Sequence, residues 1–324
     1  MAQDLQKSTS DRMSGCCSPE PRKKERHGDQ MKKTAFCLLL VVVQAGGWSD
    51  IQGERVKNEP GRFYVIGTGP AGPKLATLQA LETIERMDAI VADDPHVRLF
   101  AEYVGSNPVL FDPWEGLFSY EGKPIRQLDR EQMAAFEKER IRLIKNRVDK
   151  IKNYLVQGKN VGLLDNGNPM VFGPGNWYLE EFEPHETVVI PGMGSDAAAL
   201  AALGKSALPA YDARFVLQSS PLYLMDHRTV GIEILKDIGK YPSSTILYMA
   251  LAMPERLFPL LRQIYPPDMP CAVVYWAGYP DRQRIIMGTI SDMASKIAGE
   301  EERYMGLLLI GRFLAGRPYN AAMK

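Results

Sequence analysis

The body of this sequence has a single cysteine, Cys271; the other three, Cys16, Cys17 and Cys37, stand near the N-terminus. A lone thiol rules out an internal disulfide framework, and no cysteine set exists for a zinc site. Histidine is equally sparse: His27, His96, His185 and His227 are scattered without HxH or HxxxH spacing, so a metal site is not expected. The charge has no bias of sign, because 39 basic and 39 acidic side chains cancel. No global field therefore draws the chain to nucleic acid or to an anionic membrane, although a local basic patch is compatible with that balance. The apolar run Ala35–Ala45 is too short for a transmembrane helix, and no stable membrane span is expected in the body. There is no internal repeat.

What is present fits a globular protein. At 324 residues the chain has room for two α/β domains with separate cores, and 45% hydrophobic with 24% charged residues is ordinary composition. Residues 1–30 are charged and polar without apolar periodicity; they read as disordered, or as an extension upstream of a true start at Met31. Met31-Lys32-Lys33, the apolar run and Val43-Gln44-Ala45 give residues 31–45 the form of a signal peptide. The alternatives are an uncleaved anchor or a chance apolar stretch.

From Arg62 the pattern is α/β. Phe63–Ile66 reads as a strand ended by the turn Gly67–Pro73, and a helix is expected from about Leu75 to Met87 on the stripe Leu75, Leu78, Leu81, Ile84. Ala89–Ala92 reads as a strand closing at Asp93-Asp94-Pro95. A long charged helix, or a pair, spans 129–157 and stops at Gly158. Val161–Leu164 and Thr187–Ile190 are strands, and Ser195 or Asp196 can cap the Ala-rich helix that follows. Further on, Ser244–Met249 reads as a strand and 255–264 as a helix. Ala272–Trp276 pairs with Arg284–Met287, a helix starts at Thr289 or Ser291, and Gly306–Ile310 is the last strand. Hairpin-like pairing near the end implies a mixed second sheet. The boundary between an N-terminal domain, 61–195, and a C-terminal domain, 210–316, falls near 191–210.

Gly67-x-Gly69-x-x-Gly72 spells the dinucleotide fingerprint in a strand–turn–helix context, with Asp88, Asp93 or Asp94 downstream as ribose ligands. The prolines oppose that reading. A pyrophosphate cradle needs backbone N–H groups, and neither Pro70 nor Pro73 has one to give.

The loops taken together resemble the tetrapyrrole methylases, the S-adenosylmethionine (AdoMet)-dependent family of corrin-ring and uroporphyrinogen methylases. Phe63–Pro70 with Leu75–Leu81 and Asp88–Val91 is similar to that family's first strand, proline-bearing glycine loop and helix. Gly158–Val161 through Asn166-Gly167-Asn168-Pro169 and Phe172-Gly173 resembles its "G-K-x-V-x-x-L-x-x-G-D-P-x-x-Y" segment. Val189-Ile190-Pro191-Gly192 with Ser195 and Ala198 resembles its "V-x-P-G-x-S-S-x-x-A" turn, and Thr245–Met249 its "x-x-x-L-Y-M" strand. Ala272–Val274 through Pro280, Arg284–Ile290 and Ile310-Gly311 match the closing segments, so the likeness runs over about 61–314. Two positions depart: Asn168 stands for the usual aspartate and Phe172 for the usual tyrosine.

The resemblance implies two α/β domains with AdoMet in the cleft between them, a macrocycle as methyl acceptor and a homodimer. It implies cofactor contacts from Pro70, Asn166, Gly167, Asn168, Phe172, Ser195 and Ala198 on one side. Tyr248, Met249, Ala250, Gly288 and Thr289 face them from the other. Each has a plainer reading: Asn166-Gly167 as a strand-end turn, Ser195 as a helix cap, Met249 as core, Gly288-Thr289 as a helix start. An activated methyl donor asks mainly for orientation and desolvation, and a carbon or nitrogen acceptor also for a base. Asp93, Asp94 and Asp165, at strand ends, are the candidates, with Asp93 and Asp165 taken as catalytic. Tyr279 and Arg282 are candidates for substrate carboxylates, and Trp114–Tyr120 for covering a flat ring. Competing functions are methylation of a peptide or other acceptor, an NAD-binding oxidoreductase, and an exported binding protein without catalysis. AdoMet is made in the cytoplasm, which favours that location against the export that 31–45 suggests.

Overall fold

The computed structural model describes residues 59–209, 213–225 and 231–315; the segments 1–30 and 31–45 read above lie outside them. Both sheets belong to one unit of the chain, Glu54–Lys324. The first sheet is built from β1 (Phe63–Gly67), β2 (Ala89–Val91), β5 (Val161–Asp165) and β6 (Thr187–Ile190), in the order β2-β5-β1-β6. Every pairing in it is parallel, so all four strands end at one edge. A two-stranded hairpin, β3 (Ser119–Tyr120) with β4 (Lys123–Pro124), stands apart.

One face of this sheet packs Phe63, Val65, Val161 and Leu163 against Val148, Ile151 and Leu155 of the helix Arg130–Leu155. That helix is one continuous element. Asp129 caps it in a capping box with Gln132, and Gly158, at φ 73°, follows its end. The other face packs Ile66, Ile90 and Leu164 against Leu81 and Ile84 of the helix Leu78–Glu85. The expected start at Leu75 is corrected: Pro73–Leu75 forms a 3-10 turn, and Thr77 caps the helix by accepting the Ala80 N–H at 3.1 Å. Leu78 is consequently exposed and off the expected stripe.

The second sheet has the order β10-β9-β11-β8-β7, from β7 (Phe215–Ser219), β8 (Ser243–Leu247), β9 (Pro270–Tyr275), β10 (Arg284–Thr289) and β11 (Gly306–Ile310). β7 and β8 are parallel and the other pairs antiparallel, the mixed sheet that the hairpin pattern implied. The helix Ser195–Leu203 covers one face through Ala198 and Ala199, and the helix Pro254–Ile264 covers the other through Leu257, Phe258 and Leu261. Three local expectations change. Gly194, not Ser195 or Asp196, is the N-cap, and Ser195 is the first helical residue. β8 stops at Leu247, and Met249 turns the chain at φ 55°. β10 runs through Thr289, and the following helix is only Met293–Lys296.

Candidate functional site

The loops after β1, β5 and β6 meet because three glycines leave no side chain between them. A Cβ on Gly67 would lie 2.5 Å from the Gly192 nitrogen, and one on Gly192 would lie 2.1 Å from the Gly167 carbonyl oxygen. Gly167 donates its N–H to the Gly69 carbonyl at 3.0 Å, which ties the β1 and β5 loops together. From the second sheet, the turn after β9 closes on this edge: Gly278 is packed against Leu75, Ala71 and Ala198.

Between these loops lies a cavity of about 200 Å³. Pro70, Asp165, Asn166, Gly167, Phe172 and Ser195 line it from the first half, with Tyr248 and Met249 opposite. Phe172 adopts φ 59°, and its ring packs on Tyr248 (centroids 5.2 Å apart) and stacks on Tyr223 (5.7 Å). The Tyr248 hydroxyl donates to Gln218 Oε1 at 3.4 Å, and Gln218 Nε2 donates to Asp196 Oδ2 at 3.1 Å, linking the second sheet to the start of the helix Ser195–Leu203. Burial first, and then Asp196, raise the Tyr248 phenol above its ordinary range, so it stays protonated.

Asp165 is the acid of this wall. Its carboxylate accepts the Gly175 N–H at 3.1 Å and is 1% exposed. Burial pushes it up to about 7, against the Gly175 and Asn166 amides that pull it down. A second cavity, of about 330 Å³, adjoins the first, and Trp114, Asn166, Trp276, Tyr279 and Met305 line both. Asp93 and His96 belong to the second. Asp93 Oδ1 caps the helix Asp94–Leu99 by accepting the His96 N–H at 3.0 Å. Burial pushes the imidazole down to about 4, opposed in part by Asp93. Arg282, read as a carboxylate ligand, lays its guanidinium 3.2 Å from the centre of the Trp276 ring.

Five expected cofactor residues stand elsewhere. Asn168 closes its own turn by accepting the Met170 N–H at 3.0 Å. Ala198 and Ala250 are buried in the packing of the second sheet. Gly288 pairs with Cys271 and Thr289 with Pro270, at the start of β9. The cavity reaches β9 only at Val274, toward its other end, about 10 Å from Cys271 and about 13 Å from Pro270 at strand rise, and Thr289 spends its N–H on Asp292 Oδ1 at 2.7 Å. Thr68, His96, Trp276, Tyr304 and Met305 were not singled out as site residues from the sequence. A cap–proline signal at Asp93-Asp94-Pro95 marks the helix that carries His96.

A family model for tetrapyrrole (corrin/porphyrin) methylases matches residues 62–294. A cobalt-precorrin-4 C(11)-methyltransferase of Methanocaldococcus jannaschii is 26% identical over 80% of this chain and 90% of its own. Siroheme synthases match as well, and the Halorhodospira halophila one is covered over 50% of its length. Among solved structures, a cobalt precorrin-4 methyltransferase aligns with TM-score 0.58 and 21% identity over 79% of this chain and 96% of its own. The uroporphyrin-III C-methyltransferase of Thermus thermophilus, complexed with S-adenosylhomocysteine, gives TM-score 0.53 and 21% identity over 79% and 99%. The chain belongs to the tetrapyrrole methylase family. It is a methyltransferase, and its methyl donor is AdoMet.

Proposed function

We propose that the chain methylates a tetrapyrrole macrocycle, with AdoMet held in the first cavity and the macrocycle in the second. The observation that carries this reading is the shared wall of the two cavities, Trp114, Asn166, Trp276, Tyr279 and Met305. It puts two ligands side by side. The first cavity suits the cofactor: aromatic and thioether side chains (Phe172, Tyr248, Met249) offer apolar surface for a flat base, and Asn166 and Asp165 offer polar contacts. Bound AdoMet supplies an activated methyl group. Pro70, Gly167 and Ser195 complete that wall. Burial pushes Asp165 up to about 7, so it can hold a proton in the wall of the first cavity, and Asp93 lines the second. The indoles of Trp114 and Trp276 give the macrocycle flat surfaces to lie on.

The dinucleotide reading lacks its cradle. Gly72 caps only a one-turn 3-10 helix whose first residue, Pro73, has no N–H, and the first α-helix begins at Leu78, so no α-helix N-terminus meets the glycine loop. The homodimer implied by the family is tested by sedimentation of the full chain. For the activity, full-length protein is incubated anaerobically with AdoMet and uroporphyrinogen III, and products are read by mass. Added methyl groups are expected. S-adenosylhomocysteine binding without any methylated product on a panel of porphyrinogens and precorrins would instead support the non-catalytic binding protein.

A further inference from the structure

His96 lines the second cavity from the first turn of the helix Asp94–Leu99. Its Nε2 lies 2.8 Å from the Thr68 hydroxyl, and that hydroxyl donates to the Asp165 carbonyl at 3.0 Å. A hydroxyl has one proton to give. The Asp165 carbonyl also accepts the Thr68 N–H at 2.9 Å. In the arrangement where the hydroxyl gives its proton to that carbonyl, Thr68 Oγ1 receives a hydrogen from His96, Nε2 is protonated and Nδ1 is bare. A hydroxyl donating to Nε2 instead puts the imidazole hydrogen on Nδ1. The nearest carboxylate oxygen to Nδ1 is Asp93 Oδ1, 4.0 Å away and already accepting the His96 N–H. That separation is too long for a hydrogen bond. Among the described residues, no buried side-chain nitrogen or oxygen lacks a partner. Nδ1 has none among them, so it keeps accessible surface, and His96 lines the second cavity.

We propose that His96 is a substrate-binding residue whose bare Nδ1, beside the Asp93 carboxylate, accepts a hydrogen bond from a ring N–H of the methyl acceptor. This rests on the second cavity being the macrocycle site. A pyrrolic macrocycle is matched by acceptors there: every pyrrole nitrogen of a porphyrinogen carries hydrogen, and its saturated bridges let those N–H groups tilt toward one face. An oxidised porphyrin keeps its N–H groups inside a flat ring, out of reach of a side chain on its face. Burial keeps His96 uncharged through the neutral range, which preserves the acceptor. The charged and titratable groups around it are Asp93, from its own helix cap, and Tyr279, from the turn after β9.

Anaerobic calorimetry on the full chain, with S-adenosylhomocysteine present, compares uroporphyrinogen III with uroporphyrin III. Wild type is expected to prefer the porphyrinogen. His96→Gln, which keeps a donor toward Thr68 and loses Nδ1, is expected to weaken porphyrinogen binding about tenfold, the worth of one hydrogen bond, and to leave porphyrin binding within about twofold. Imidazole ¹⁵N correlation spectra give a readout independent of turnover: neutral His96 with hydrogen on Nε2, and an Nδ1–H population appearing in Thr68→Val. An Nδ1–H or charged His96 in the wild type overturns the proposal, as does an equal loss for both ligands in His96→Gln. If neither ligand binds the wild type while S-adenosylhomocysteine does, the macrocycle reading falls and this proposal falls with it. If both bind and His96→Gln changes neither, only this proposal falls.

Discussion

Asp165 and His96 sit on opposite sides of the Thr68 hydroxyl and are shifted in opposite directions by the same cause, burial. For Asp165 the folded value, about 7, exceeds the ordinary 3.8, so the fold binds an extra proton between those values. Its stabilising contribution is complete below the lower value and is lost as pH rises through the upper. For His96 the folded value, about 4, lies below 6.5, so its contribution is complete above 6.5 and is lost as pH falls toward 4. Between pH 4 and 6.5 the two slopes oppose each other, each limited to about 1.4 kcal/mol per pH unit. Asp165→Asn is therefore expected to make stability rise with pH across this window, and His96→Gln to make it fall. Urea midpoints at pH 4.5 and 6.5 measure both signs. Equal slopes in the two variants would contradict this assignment of protons.

At the scale of elements, the helix Arg130–Leu155 shows how a charged sequence still anchors a sheet. Ile151 is fully buried against Phe63 and Leu163, whereas Ile141 is 63% exposed. Ile151→Ala is expected to cost about 2–5 kcal/mol and Ile141→Ala under about 0.5 kcal/mol, read as midpoint shifts in denaturant. The glycine contacts give a second test. Gly192→Ala forces a methyl onto the Gly167 carbonyl and the Gly67 backbone. Loop separation should then lower S-adenosylhomocysteine affinity by at least about tenfold, and a variant that binds like wild type would show that the three loops do not frame the cofactor cavity. Much of this was legible in the sequence. Short apolar runs ending in glycine turns marked β1, β5 and β6, and those turns bring Pro70, Asn166, Gly167 and Ser195 to one cavity. Gly288-Thr289 was not legible as strand, because a Gly-Thr pair before a polar stretch also spells a helix start. Only the register with Cys271 and Pro270 carries it away from the cleft. Met249 likewise looked like strand, since nothing local marks a methionine for the left-handed region.

At the scale of the whole molecule, a parallel sheet and a mixed sheet each contribute one set of loops to a common cleft, and neither set encloses a ligand alone. Asp165 and Asn166 come from one sheet and Tyr248, Trp276 and Tyr279 from the other. The glycine fingerprint at Gly67–Gly72 first suggested a dinucleotide, because spacing alone does not report where the next helix begins. The late start at Leu78 and the closure by Gly278 separate the two meanings of that motif. Titration of the full chain with S-adenosylhomocysteine and, separately, with NADH tests this most directly. Saturable heat is expected with the first and none with the second. Binding of NADH with no response to millimolar S-adenosylhomocysteine would contradict the account.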